Sequence, residues 1–275
     1  MSRHAPKLIS VIVTTYNWPA ALDLVLDSLA HQQGGPYEVV VADDGSGEET
    51  RAVIERWRKD YPVPLSHVWQ PDEGFRAARV RNLGAAEARG DYFVFLDGDC
   101  LCRPDFVATH AKLAEPGWFV SGRRILLRPE PTDRLLRDRI AVHRLPGALS
   151  GAAARKLMKK SHVRRLRTLP LGGLRKLRPW DWRPIQSFNM GVWREDLLAV
   201  GGFDEGFIGY GFEDTDLVMR LFRLGRRAKQ GFLASAVLHL HHERSPLPGE
   251  VEGRFAELRA QTHVRARRTM LVERS

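Results

Sequence analysis

The chain has 275 residues, 43% of them hydrophobic, and a formal net charge of +10, which allows either one large α/β domain or two small ones. No apolar run reaches the roughly 20 residues of a membrane-spanning helix, and the opening MSRHAPK lacks the apolar stretch that drives secretion, so a cytoplasmic chain is expected. The two cysteines, Cys100 and Cys102, lie too close for an ordinary structural disulfide and are too few for a zinc site, which leaves reduced packing residues.

The first half alternates two signals. KLISVIVTTYN reads as a buried strand, after which Pro19 opens a helical pattern through Ala30 with Leu22, Val25, Leu26 and Leu29 on one side. YEVVVADDGS predicts a second strand ending in a turn, a helix follows to about Lys59, and LSHVWQ is a short third strand. A helix from Phe75 to Arg89, stopped by Gly90, leads into the strand that ends at Asp97. Such alternation predicts a mainly parallel sheet flanked by helices, with ligands beyond the carboxyl ends of its strands. Asn17, Asp43, Asp44, Asp97 and Asp99 all fall there.

GDYFVFLDGDC delivers two carboxylates at a strand tip with one glycine between them. If the chain stays extended, Asp97 and Asp99 face one spot and repel each other unless a cation sits between, which points to a metal ion. There is no GxGxxG after a strand and no GxxxxGK[ST], which argues against a dinucleotide dehydrogenase or a P-loop NTPase. A nucleotide would then be read by side chains. A carboxylate in VADDGS can accept the imide N–H of a uracil.

The positive charge is concentrated. Between Arg155 and Arg178 there are ten Lys or Arg and no Asp or Glu, interspersed with leucines, so an anionic membrane surface suits this stretch at least as well as nucleic acid does. In FIGYGFEDTDLVMRLFRLG, acids cluster where a helix would start. Asp214 heads the stripe continued by Leu217, Val218 and Leu221 and is expected to point inward, while Asp216 lines up with Arg220 and Arg223 on a face expected to be exposed. AVLHLHHERSP reads as a strand with His239 and His241 on one side and His242 on the other. Trp180 and Trp182, in a polar loop flanked by prolines, are candidates for acceptor contact, and Trp193 for the core.

Taken together, SVIVTTYN, VVVADDGSGEET, GFRAARVRNLGAAEARGDYFVFLDGDC and GGFDEGFIGYGFEDTDL resemble an inverting glycosyltransferase of family 2 with the GT-A fold. The resemblance covers about residues 8–105 and 187–245. It implies nucleotide contacts from Thr14, Tyr16, Asn17, Asp44, Arg81 and Asp97, with Arg76 and Arg79 as weaker candidates. It further implies Mn²⁺ or Mg²⁺ at Asp97 and Asp99, with a histidine shortly after the ED helix completing the shell: His239 first, His241 second. Asp214 would be the general base and Glu213 an acceptor ligand.

The expected organisation is one GT-A domain. Residues 1–122 form its nucleotide-sugar half, 123–184 a basic helical insertion, 185–245 the acceptor half and 246–275 a helical tail. The expected activity is transfer from a nucleotide-sugar, a UDP-sugar first, to a glycan or lipid-linked acceptor in surface polysaccharide or lipopolysaccharide synthesis, peripheral on the cytoplasmic face of the membrane. A sugar nucleotidyltransferase and a basic nucleic-acid-binding protein are the alternatives. TTYNWP after the first strand lacks the glycine-rich loop that the former needs.

Overall fold

Strand β1 (Ile9–Thr15) is a β-branched run whose first five residues are buried; in a computed structural model that describes residues 5–144, 172–183, 185–243 and 251–271, it lies inside an eight-stranded sheet. Its parallel neighbours are β2 (Tyr37–Asp43) on one side and β4 (Tyr92–Asp97) on the other, with β3 (Leu65–Trp69) beyond β2. The register pairs Thr14 with Asp97 and Thr15 with Asp43, so the acid-bearing strand ends align at one edge. Helices α1 (Pro19–Ala30), α2 (Glu48–Arg58) and α3 (Ala77–Glu87) connect these strands as expected.

Beyond β4 the sheet becomes mixed. Its order is β3-β2-β1-β4-β7-β6-β8-β5, where β5 is Cys100–Leu101, β6 Trp118–Leu126, β7 Asn189–Trp193 and β8 Arg227–His239. β7 runs antiparallel to both β4 and β6, while β6 and β8 are parallel. Two apolar clusters form, one on each face. Ile9, Val11 and Val13 pack with α1 and α2 in one; Ile12, Phe93 and Phe95 pack in the other with α3, α6 (Arg194–Ala199) and α7 (Glu213–Arg223). Residues 106–113 form α4.

Helix α3 lies close to the sheet because it presents small residues: a Cβ at Gly84 would stand 2.6 Å from Ile12 Cγ2. Its Asn82 clamps the following half of the chain. The amide donates to Phe203 O (2.9 Å) and Glu205 Oε1 (2.8 Å) and accepts from Phe203 N–H (2.9 Å).

Several expectations change. The proposed insertion cannot begin at residue 123, since β6 runs through Leu126 and α5 (Pro129–Arg137) follows directly. Residues 155–171 of the basic stretch lie outside the described residues. The tail is helical only over α8 (Val251–Ala260) and continues without regular structure to Leu271, which is buried against the sheet. Cys100 and Cys102 are free and buried, and Trp193 belongs to the core.

The face carrying Asp216 is not exposed. Asp216 and Arg220 are almost fully buried and form the expected i,i+4 ion pair, with Nε at 2.8 Å and Nη2 at 2.6 Å from the same carboxylate oxygen. Arg220 Nη1 also donates to Val200 O and Gly202 O, both at 2.7 Å. The loop after α6 covers this face of α7.

Candidate active site

A cavity of about 570 Å³ opens where β1, β2 and β4 end, and it takes its remaining walls from β6, residues 186–188, the start of α7 and the end of β8. Thr14, Tyr16, Asn17, Asp44, Arg81, Asp97, Asp99, Glu213, Asp214 and His239 all line it. Asn17 holds the left-handed backbone conformation (φ 44°) that Asn tolerates better than most residues. It ties the first strand end to the second: Gly47 N–H donates to Asn17 Oδ1 and Asn17 N–H donates to Ser46 Oγ, each at 2.9 Å.

The adjacent aspartates of VADDGS have different jobs. Asp43 is structural, accepting from Ser46 N–H (2.8 Å) and facing His67 Nε2 (3.2 Å). Asp44 faces the cavity, where Gln70 Nε2–H and Arg76 N–H (2.9 Å) orient its two oxygens. Burial raises its pKa, and these hydrogen bonds only partly counter the effect. Neither Arg76 nor Arg79 lines the cavity; Arg76 donates to Pro71 O and Arg79 to Gln70 Oε1.

Arg81 reaches across the cavity floor. Its Nη1 donates to Glu213 Oε1 (2.9 Å) and its Nη2 to Asp97 Oδ1 (3.3 Å), so one buried guanidinium joins the end of β4 to the start of α7. Asp97 and Asp99 do not share one extended segment, because Gly98 and Asp99 form a turn. Gly98 is required there: its N–H donates to Thr14 O at 2.7 Å, and an added Cβ would meet the same oxygen at 2.8 Å. Consequently Asp97 pairs with Arg81, while Asp99 turns to the histidines.

Asp99 Oδ2 lies 3.1 Å from His242 Nε2 and 3.4 Å from His239 Nε2, and one ligand atom from each of the three residues falls within 4.8 Å of the others. Burial opposes the charge on Asp99, but the hydrogen bond from His242 and the nearby His239 outweigh it and hold the carboxyl below its usual range. Burial pushes His239 down to about 4, which leaves it as the neutral imidazole that ligates metals. This donor set of one carboxylate and two imidazoles fits a divalent ion, with Asp97 outside the three-residue group. His241 is not in the group. β8 ends at His239, so alternation no longer applies beyond it; His242 turns to Asp99, and His241 N–H instead donates to Thr132 Oγ1 at 2.8 Å.

Helix α7 begins under strain. Phe212, its N-cap, has φ 76°, a conformation costly for a bulky residue, and Glu213 and Asp214 follow at once. Glu213 Oε1 is held by Arg81, whereas buried Oε2 has no hydrogen-bond partner among the described residues. Asp214 Oδ1 accepts from Thr215 N–H at 2.7 Å. Burial, joined by the repulsion of Glu213 and partly offset by Arg81, pushes Asp214 up to about 7. Asp214 lines the cavity, on the side that the helical phase read from the sequence gave it.

Trp180 and Trp182 do not line the cavity. Trp180 packs on Phe222 and Trp182 on Phe255, although Phe255 itself reaches the cavity wall. Sequence reasoning missed Arg124, whose guanidinium stacks 4.4 Å from the Phe188 ring in the cavity wall, and His242. It also missed the mouth formed by Phe75 and Tyr210, which touch edge to face. The tyrosine of FIGYGFED, set between two glycines that mark a loop, was the available signal for Tyr210, and both glycines do take positive φ (90° and 99°).

This sheet, with carboxylates at the ends of its parallel strands and an ED pair entering from a later helix, defines a GT-A glycosyltransferase. The chain belongs to glycosyl transferase family 2: the profile so described matches residues 10–171, more than half of the chain. A second profile, described as the N-terminal domain of galactosyltransferase, matches residues 178–243. Among curated relatives, the validoxylamine A glucosyltransferase of Streptomyces hygroscopicus subsp. limoneus is 33% identical over 228 residues, covering 81% of this chain and 49% of that protein. The chain thus spans about half the length of the curated relatives it matches. Two solved structures share the fold. The mannosyltransferase PcManGT from Pyrobaculum calidifontis, solved with GDP-Man and Mn²⁺, aligns at a TM-score of 0.56 with 23% identity, over 94% of this chain and 62% of its own. GalNAc-T7, solved with UDP, GalNAc and Mn²⁺, aligns at 0.57 with 14% identity, over 88% and 45% respectively.

Proposed function

We propose that this glycosyltransferase is metal-dependent and inverting, and that it moves a sugar from a UDP-sugar to a hydroxyl of a glycan or lipid-linked acceptor. The observation that carries the reading is the Arg81 bridge, because it joins Asp97, the carboxylate at the end of β4, to Glu213 of the ED pair of α7 within one cavity. Asp99, His239 and His242 would hold the ion, with Asp97 beside them. The imidazoles favour Mn²⁺ over Mg²⁺, which prefers an all-oxygen shell. The chemistry such an ion supplies when bound is neutralisation of a diphosphate leaving group.

The chain's own residues do the rest. Asp44 accepts the imide N–H of the base, and Thr14, Tyr16 and Asn17 shape the base pocket around it. Glu213 Oε2, the buried acceptor without a partner, takes a hydrogen bond from the sugar or lipid hydroxyl and holds it beside Asp214. Asp214 removes that hydroxyl proton as the oxygen bonds to the anomeric carbon and the bond to the diphosphate breaks on the opposite side.

An anionic membrane surface is the site we assign to the lipid-linked acceptor. In the described end of the basic stretch, Leu174, Leu177 and Trp180 are each more than half exposed beside Arg175, Lys176 and Arg178, a mixture suited to the headgroup boundary. No helix among the described residues is long and apolar enough to cross a membrane.

Calorimetric titration tests the donor side. UDP should bind with Mn²⁺ more tightly than GDP, and Asp99→Ala or His242→Ala should weaken UDP binding about tenfold or more while leaving the thermal midpoint near wild type. Wild-type affinity in both variants, or EDTA without effect on the wild type, would sink the metal assignment.

A further inference from the structure

At the C-terminal end of the first helix, Asp27 lies in the last turn of α1 and His31 is its C-cap, and His143 approaches them from the short 3-10 turn at Val142–Arg144. None of the three lines the cavity. We propose that they form a second metal site, for Zn²⁺, which pins residue 143 to α1.

Three observations carry this. The two imidazoles are stacked, with centroids 3.5 Å apart and planes 15° from parallel, and both present Nδ1 to one carboxylate: His31 to Asp27 Oδ1 at 3.7 Å and His143 to Asp27 Oδ2 at 3.4 Å. These separations are long for hydrogen bonds but close to the ~3.4 Å edge of a tetrahedron built on metal–ligand bonds of about 2.05 Å. Next, Asp27 Oδ2 is buried and makes no hydrogen bond among the described residues, with His143 Nδ1 facing it only at 3.4 Å, which is costly for a carboxylate oxygen. Finally, His31 Nδ1 lies 2.8 Å from the Asp27 backbone carbonyl, a contact that fixes the tautomer with Nε2 unprotonated. The separations above belong to Nδ1, so His31 would ligate through that nitrogen by releasing the carbonyl and its proton. Two imidazoles, one carboxylate and a water make a common zinc shell, softer than the hard-cation sites of Mg²⁺ or Ca²⁺.

The neighbouring turn shows the same fastening by other means. Asp23, one turn earlier on α1, pairs with Arg139, so residues 139 and 143 are both held to the helix by its aspartates. The chain immediately beyond residue 143 leads toward the basic stretch, and a zinc clasp would fix where that stretch departs.

The test uses Zn²⁺ alone. Because the catalytic cluster could also take Zn²⁺, equilibrium dialysis with metal analysis is run on the wild type and on an Asp99→Asn/His239→Ala chain. Wild type should hold about two Zn²⁺ and the double variant about one; adding His31→Ala or His143→Ala should remove one from each. Asp27→Asn, which keeps the shape, should weaken the remaining site about tenfold or more. Zn²⁺ should raise the melting midpoint of the double variant and not that of its His31→Ala derivative. A double variant without Zn²⁺, or a wild-type stoichiometry unmoved by both histidine substitutions, overturns the proposal.

Discussion

The carboxyl of Asp214, pushed up to about 7, would serve as the proposed base only above that pH, which gives the proposal a signature of its own. Its pKa is raised, so the active carboxylate form is lost as pH falls through 7. The kcat/KM for donor should drop close to tenfold per unit below pH 7 and level off above it. Asp214→Asn should leave donor affinity intact, lower kcat by about 10²–10⁴-fold and abolish this acid limb. A limb that persists in the variant would assign the titration to another group. Asp214 was legible in the sequence because its stripe-mates Leu217, Val218 and Leu221 mark the inward face, and all three are buried. His242 was not, because the reading extended an alternating strand past the point where hydrogen bonding ends. Where β8 stops is decided by β5 and β6, which pair with it only as far as His239.

At the level of elements, α7 shows what helical phase can and cannot tell. The periodicity correctly joined Asp216 to Arg220, yet it assigned that face to solvent; a helical wheel gives relative direction, and only the fold says which loop lies on top. The ion pair is therefore a buried anchor rather than a surface ornament. Asp216→Asn leaves Arg220 buried without its counter-charge and should cost about 3–5 kcal/mol, lowering the thermal midpoint by several degrees. Calorimetry checks this, and a midpoint within a degree of wild type would show that the carbonyls of Val200 and Gly202 suffice alone. Donor affinity measured well below the new midpoint should stay near wild type, because Asp216 does not line the cavity. β6 escaped notice for a related reason: WFVSGRRIL carries two arginines in its second half, and one of them, Arg124, faces the cavity rather than solvent.

For the molecule as a whole, the βα units of residues 9–97 were readable because each strand and helix is marked by its own periodicity and a short loop, whereas the β1–β4 pairing and the order β7-β6-β8-β5 arise from pairings across the chain that no local pattern announces. The proposed membrane role also belongs to this scale. Co-sedimentation with anionic vesicles should fall to the level seen with neutral vesicles when Lys159, Lys160, Arg164, Arg165 and Arg167 are all replaced by Ser, since each cation near such a surface contributes roughly 1 kcal/mol. Binding indifferent to lipid charge would remove that role. The cavity, finally, draws its walls from residues as far apart as Thr14 and Glu243, and the central strand β4 joins its nucleotide side to a partner, β7, made almost a hundred residues later. During synthesis the first four parallel strands can gather on the ribosome, but the growing polypeptide has no complete pocket until its β8 end has emerged. Any translation product that stops before residue 239 lacks both histidines of the candidate metal centre, so under the metal dependence proposed above, prematurely terminated chains would carry the acidic strand tips without the ability to spend nucleotide-sugar in futile hydrolysis.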